Sequence, residues 1–191
     1  MALTKAHNRM VSGSSVNAVD YGAVGDGTTD DTAALQAAIT AASGSSLIIP
    51  DGNYLVTSKI TLSGCTIFGY GAKITSTVSS DTTLSGNTSN IKIYGLEVEG
   101  LGNSSYVSGE ILIEIEGTNN DPSAPTFLEN IEVKDCYLHS VGRAGLKVRY
   151  VKNSRFCDNR IEDVGRSGIE ASSVHYSKFD GNIVRGMSPG D

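Results

Sequence analysis

Val133, Phe156 and Phe179 recur at an interval of 23 residues, and so do Leu138, Ile161 and Val184, and Val141, Val164 and Met187. The same offset relates Leu146 to Ile169, Val151 to Val174, Gly142 to Gly165 and Gly145 to Gly168. Columns held in one register restrict the chain to an architecture in which each repeat is a unit stacked on the last. Apolar and polar residues alternate over short runs inside the repeat, as in Gly145-Leu146-Lys147-Val148-Arg149, which is the pattern of strands. A leucine-rich repeat would need a leucine ladder and its own Asn spacing, and neither is present. The repeat therefore predicts an all-β solenoid, a parallel β-helix with one coil per period.

Earlier coils follow the same register with insertions. Asn90-Ile91-Lys92-Ile93 matches Asn130-Ile131-Glu132-Val133 at an offset of 40, and Ile67 lies 26 residues before Ile93. Ile111-Leu112-Ile113 can be laid on Leu146-Lys147-Val148, which puts five extra residues before Ile111 and twelve after Ile113. About five or six coils result, at about 4.8 Å per coil. Upstream, Leu35, Ala38, Ile39 and Ala42 make one narrow apolar face, predicting a helix over 31–42 capped by Thr29 or Asp30, with Asp31 suiting its dipole and Gly44 as a stop. The helix is expected to close the open end of the core. Residues 1–15 read as an extended arm and 16–191 as the β-helix domain. Pro189-Gly190-Asp191 falls in mid-coil, so the sequence reads as the N-terminal part of a longer protein.

The 191 residues fit one domain, and 22 glycines with 19% charged residues suit a turn-rich β-protein. A net charge of −6 repels phosphates and argues against a nucleic-acid partner. No apolar run approaches a membrane span, and Met1 to Met10 lacks the apolar centre of a signal peptide. Cys65, Cys136 and Cys157 have no metal-ligand spacing and read as buried free thiols. His139 and His175 do not match in register, so no metal site is expected. Gly25-Asp26-Gly27 follows no dinucleotide-binding strand pattern, and no cofactor is expected.

The outward positions of the long strands carry Glu114, Lys147, Arg149, Glu170 and Ser172. With the offset adopted above, Glu114, Arg149 and Ser172 share one column and Lys147 lies over Glu170. Arg143 and Arg166 stack one period apart, which requires an anion between them: Asp163, Glu162, or a bound uronate or sulfate. Glu114, Arg143, Lys147, Arg149, Arg166 and Glu170 are thus the candidate glycan-binding residues, beside the plainer reading of a solvated face with cross-strand ion pairs. Asp135 and Asp158 also stack; paired carboxylates can cleave a glycosidic bond, but turns favour Asp for backbone reasons. Asn159 and Asn182, in a column with Cys136, read as an asparagine ladder. The polar loop Gly117–Thr126, at the end of the outward face, is a second place for a binding site or a tolerated insertion.

The run Val16-Asn17-Ala18-Val19-Asp20-Tyr21-Gly22-Ala23-Val24-Gly25-Asp26-Gly27-Thr28-Thr29-Asp30-Asp31-Thr32, followed by the alanine-rich helix and Leu47-Ile48-Ile49-Pro50-Asp51-Gly52-Asn53-Tyr54, resembles the start of the pectate-lyase-like right-handed parallel β-helix superfamily. With Leu3-Thr4-Lys5 and Arg9-Met10 upstream it looks most like a bacteriophage tailspike. That resemblance implies a homotrimer in the phage tail, assembled in the host cytoplasm and joined to the tail or an adaptor protein by the arm. It also implies a function: recognising, and in the enzymatic members depolymerising, a bacterial surface polysaccharide. A stand-alone polysaccharide lyase or hydrolase and a non-catalytic tail spacer are the alternatives. The acidic motifs of galacturonase-like relatives do not carry over, because Arg143-Ala144-Gly145 and Arg166-Ser167-Gly168 stand in their places. An active site, if there is one, is expected beyond residue 191.

Overall fold

A computed structural model describes residues 15–102, 109–118 and 123–187. The arm apart from Ser15, the tip of the loop Gly117–Thr126 and the last four residues lie outside the described residues. All paired strands run parallel and build three sheets along one solenoid of about seven turns. The first sheet stacks Val16–Asn17, Ser46–Ile48, Thr66–Phe68, Lys92–Tyr94, Glu132–Lys134, Arg155–Cys157 and Lys178–Asp180. The second stacks Asp26–Asp30, Gly52–Val56, Ala72–Ser76, Glu97–Glu99, Tyr137–Val141, Arg160–Val164 and Ile183–Met187. The third holds Ile60–Leu62, Thr82–Gly86, Ile111–Glu116, Ala144–Lys152 and Ser167–His175, with the short Leu128–Glu129 beside Ala144–Lys152.

The 23-residue columns are the register of this stack. Val133 lies opposite Phe156 and Phe156 opposite Phe179, while Leu138, Ile161 and Val184 align likewise on the second sheet. Val133 and Phe156 are fully buried, and the Phe179 ring stacks on Phe156 with centroids 4.9 Å apart. Phe179 lies in the last described coil and is 39% exposed. Gly142 and Gly165 recur because successive corners touch through backbone: a Cβ on Gly165 would overlap the Gly142 carbonyl.

One offset is corrected. Ile113, not Ile111, lies opposite Leu146, and Ile115 opposite Val148. The strand Ile111–Glu116 sits two residues from its expected register. A slip of two preserves the in–out alternation, so periodicity alone could not detect it. The coil count is also larger than the five or six expected, because the first coil has no third-sheet strand. The helix Thr32–Ala41 takes that place, between Asp26–Asp30 and Ser46–Ile48.

That helix buries Leu35, Ala38 and Ile39 in the core. Gln36 accepts from the Thr61 backbone N–H at 2.7 Å and donates to its carbonyl at 2.9 Å, serving the outer edge of Ile60–Leu62. At the N-terminus Asp30, one of the two expected caps, accepts from the Thr32 N–H at 3.0 Å. Asp31 occupies the cap position, but its carboxylate turns away from the helix to accept from Val24 N–H at 2.6 Å and Gly25 N–H at 3.1 Å.

The asparagine ladder is present between the first and second sheets. Asn159 Nδ2 donates to Val133 O and to Asn182 Oδ1, both at 2.9 Å. Asn159 Oδ1 accepts from Cys136 N–H at 3.1 Å, and Asn182 Nδ2 donates to Phe156 O at 2.8 Å. Cys136 ends the column; burial pushes its thiol up to about 12, so it stays protonated, with Lys134 O at 3.3 Å and Ile93 O at 3.8 Å as acceptors. All three cysteines are free and buried. Asp135 and Asp158 sit at the same corners with φ of 56° and 59°, which is the backbone reason for Asp there.

Two stability outcomes follow. Asn159→Ala strands the buried Cys136 N–H and Val133 carbonyl and should cost about 2–4 kcal/mol in urea unfolding. Leu35→Asp places a charge in the core and should lower stability by about 2–5 kcal/mol or prevent folding. Melting temperatures matching wild type would contradict these placements.

Candidate functional site

The outward face of the third sheet carries a cluster of charges on its long strands. Neighbouring coils place Glu114 beside Lys147 and Lys147 beside Glu170, and Glu116 beside Arg149 and Arg149 beside Ser172. The expected Glu114–Arg149 column is therefore replaced by Glu116–Arg149, as the two-residue slip requires. Lys147 lies next to Glu170 in register but does not pair with it. Its ammonium reaches back one coil to Glu114 Oε1 and, at 3.1 Å, to Glu116 Oε2. Arg149 Nε meets Glu116 Oε1 at 3.2 Å.

Arg143 holds Glu170 through two parallel bonds, Nε to Oε1 at 3.1 Å and Nη2 to Oε2 at 2.8 Å. Both side chains are only 20% exposed. The carboxylate that meets Arg143 is thus Glu170 rather than Glu162, which pairs with Arg160 at 2.8 Å. The fork fixes the guanidinium plane, which a lysine could not do. Arg166 occupies the equivalent corner one coil on, its backbone N–H bonded to Arg143 O at 3.0 Å.

Arg143, Lys147, Arg149, Glu170 and Ser172 line a cleft of about 180 Å³ with Val148 and Ala171 at its base. Of the six candidates, four line this cleft, Glu114 holds its lysine from the preceding coil, and Arg166 lies outside the lining. Glu116 was missed, although it bridges Lys147 and Arg149. Its signal was the alternation Ile113-Glu114-Ile115-Glu116, which marks both glutamates as outward.

Burial, the largest influence on the Glu114 carboxyl, pushes it up. The Lys147 hydrogen bond and charge, with Thr82 and Arg143, outweigh that and hold it below the usual range. Glu132 and Glu99, on the other two sheets, are lowered chiefly by hydrogen bonds from Lys92 and Lys73. A lowered folded value means the stabilisation is complete above the unfolded carboxyl value, about 4.3–4.5. It is lost as pH falls through the folded values. The melting temperature should be nearly flat from pH 7 to about 5 and drop below about 4.5; a drop between pH 7 and 6 would contradict this assignment.

The other candidates lie outside this cleft, and Lys134 and Asp158 line a second one of about 190 Å³ on the first-sheet face, with Glu132, Arg155, Lys178 and Asp180. Lys134 lies 3.9 Å from Asp135 and 3.6 Å from Asp158, bridging the two carboxylates. His139 is held between Glu97 at 3.2 Å and Ser140 at 3.0 Å. Among the described residues no group of three His, Cys, Asp or Glu could hold a metal ion, and no helix is long and apolar enough to cross a membrane.

Residues 15–177 match the family model "Rhamnogalacturonase A/epimerase, pectate lyase-like". The chain belongs to this family. No curated protein matches the sequence significantly. Among solved structures, a Parabacteroides merdae protein provisionally described as a glycosyl hydrolase aligns with TM-score 0.55 and 17% identity, over 89% of this chain and 95% of that one. The A-module of the Azotobacter vinelandii mannuronan C-5 epimerase AlgE6 gives TM-score 0.59 and 20% identity, over 90% of this chain and 56% of that one. Tailspike protein 2 of Escherichia coli O157:H7 bacteriophage CAB120 gives TM-score 0.58 and 16% identity, over 90% of this chain. This chain spans only 27% of that tailspike. At these identities the likeness establishes the shared fold.

Proposed function

We propose that the third-sheet face binds a polysaccharide, and that the chain is the β-helix portion of a phage tailspike recognising a bacterial surface glycan. The observation that carries this reading is the cleft at Arg143, Lys147, Arg149 and Glu170. Its charged groups are oriented by each other on rigid strands, so little ordering cost remains when sugar hydroxyls or carboxylates meet them. Family membership and tailspikes among the structural neighbours support it. The net charge of −6 disfavours anionic polymers generally, and the cations Arg143, Lys147 and Arg149 of the cleft are balanced by Glu170, Glu114 and Glu116. Assembly as a homotrimer in the virion, with residues 1–15 as attachment arm to the tail or an adaptor, belongs to the same proposal.

Binding, rather than cleavage, is the role these residues fit. A general acid must hold its proton near neutrality. Glu114 is shifted the other way, and Glu170 is committed to both arms of Arg143.

Affinity electrophoresis in gels containing capsular polysaccharides, lipopolysaccharide O-chains, alginate, polygalacturonate or α-1,3-glucan tests the reading. At least one polymer should retard the protein. Arg149→Gln, at the more exposed end of the network, should weaken retardation about fivefold to tenfold with little change in melting temperature. Retardation by none of them, or retardation indifferent to Arg149→Gln and Arg143→Lys, would overturn the assignment. Reducing ends or unsaturated uronate released by this chain would turn the reading from binding to depolymerisation.

A further inference from the structure

The corners of this solenoid use the left-handed backbone region, and the residues found there follow a rule. Asp135, Asp158 and Gly181 fill one corner column, and Ser140, Asp163 and Gly186 another, all with positive φ. The corner after the third sheet holds Asn90, Asn130 and Asn153, with φ of 64°, 56° and 52°. Small polar side chains and glycine tolerate this conformation, whereas an aromatic residue is strained in it. Among the described residues with positive φ, only two break the rule, Tyr150 at 52° and Tyr176 at 47°. Tyr150 shares its column with Ser173, and Tyr176 continues the asparagine column.

Both tyrosines belong to one aromatic cluster. The Phe127 ring lies 6.0 Å from Tyr150 and 4.8 Å from His175, and His175 lies 6.4 Å from Tyr176. Tyr176 lies in the last described coil and is 88% exposed. Val151 and Leu128, at 0% and 5%, carry the packing at this corner. The asparagines do structural work that tyrosine cannot: Asn130 donates to Asn90 at 2.8 Å and Asn153 to Glu129 at 3.3 Å. Tyr176 gives up both the tolerated conformation and the ladder bond. A local rule broken twice, at two members of one aromatic cluster, points to a place where function is served.

The cluster adjoins the cleft. Arg149 lines the cleft, and its guanidinium sits 6.0 Å from the Tyr150 ring centroid. We propose that Phe127, Tyr150, His175 and Tyr176 form a stacking subsite for the apolar C–H face of one pyranose ring, extending the charged cleft around the corner. Charged groups in the cleft meet hydroxyls or carboxylates, and the aromatic corner takes a ring face by dispersion and C–H contact with the π-system. This inference rests on the polysaccharide reading of the cleft.

The test separates the two. Tyr176→Asn restores the residue of the column, so the melting temperature should rise by about 1–3 °C. Retardation in the gel of whichever polysaccharide wild type binds should weaken about fivefold to tenfold, and Tyr176→Phe should keep it. Tyr150→Asn provides a second variant with the same two readouts. A lower melting temperature for Tyr176→Asn would mean the ring is held for packing and would overturn the subsite. Unchanged retardation in both Asn variants, with Arg149→Gln still weakened, would overturn the subsite and leave the cleft reading standing. Wild type retarded by none of the polymers would remove both.

Discussion

Each coil of this fold must turn three corners without leaving a buried backbone N–H or carbonyl unpaired. Within the sheets, parallel pairing satisfies those groups from the neighbouring coils. At the corners something else must, and side chains in strict register supply it. The Asn159 amide alone meets a carbonyl of one coil, an N–H of the same corner and the next asparagine. An unpaired buried amide costs about 1–3 kcal/mol. Sequence register, corner chemistry and the straightness of the outward faces therefore depend on one another. A cleft built across coils inherits its precision from those corners.

This dependence explains what the sequence made legible. Apolar columns recur because each inward position meets its own image one coil away, so Val133–Phe156 and Leu138–Ile161 could be read directly. The ladder of Asn159 and Asn182 was legible for the same reason. The placement of Ile111–Glu116 was not, since a shift of two keeps every side chain on its face and only the inserted lengths on either side absorb the error. Asp31 does sit at the helix N-terminus, but a dipole argument is local and gave no sign that its carboxylate also serves Val24 and Gly25 across the turn.

The candidate site shows the same division. Which residues face outward was readable from alternation, and Arg143, Lys147, Arg149 and Glu170 do line one cleft. Which of them pair was not readable. Long side chains choose partners one coil back or one coil on, as Lys147 does with Glu114 and Glu116 and Arg143 with Glu170. The aromatic corner was invisible to the repeat, because a tyrosine in an asparagine column looks like ordinary drift until its backbone φ is known.

The central claim is that the third-sheet face, and neither of the other two, is where a polysaccharide lies. Hydrogen–deuterium exchange with and without a retained polysaccharide addresses it directly. Backbone amides of 144–152 and 167–175, with the corner around Phe127, should gain protection while the first and second sheets change little. Protection centred instead on Glu97–Glu99 and Tyr137–Val141, or on Lys92–Tyr94 and Glu132–Lys134, would place the glycan on another face and contradict the account.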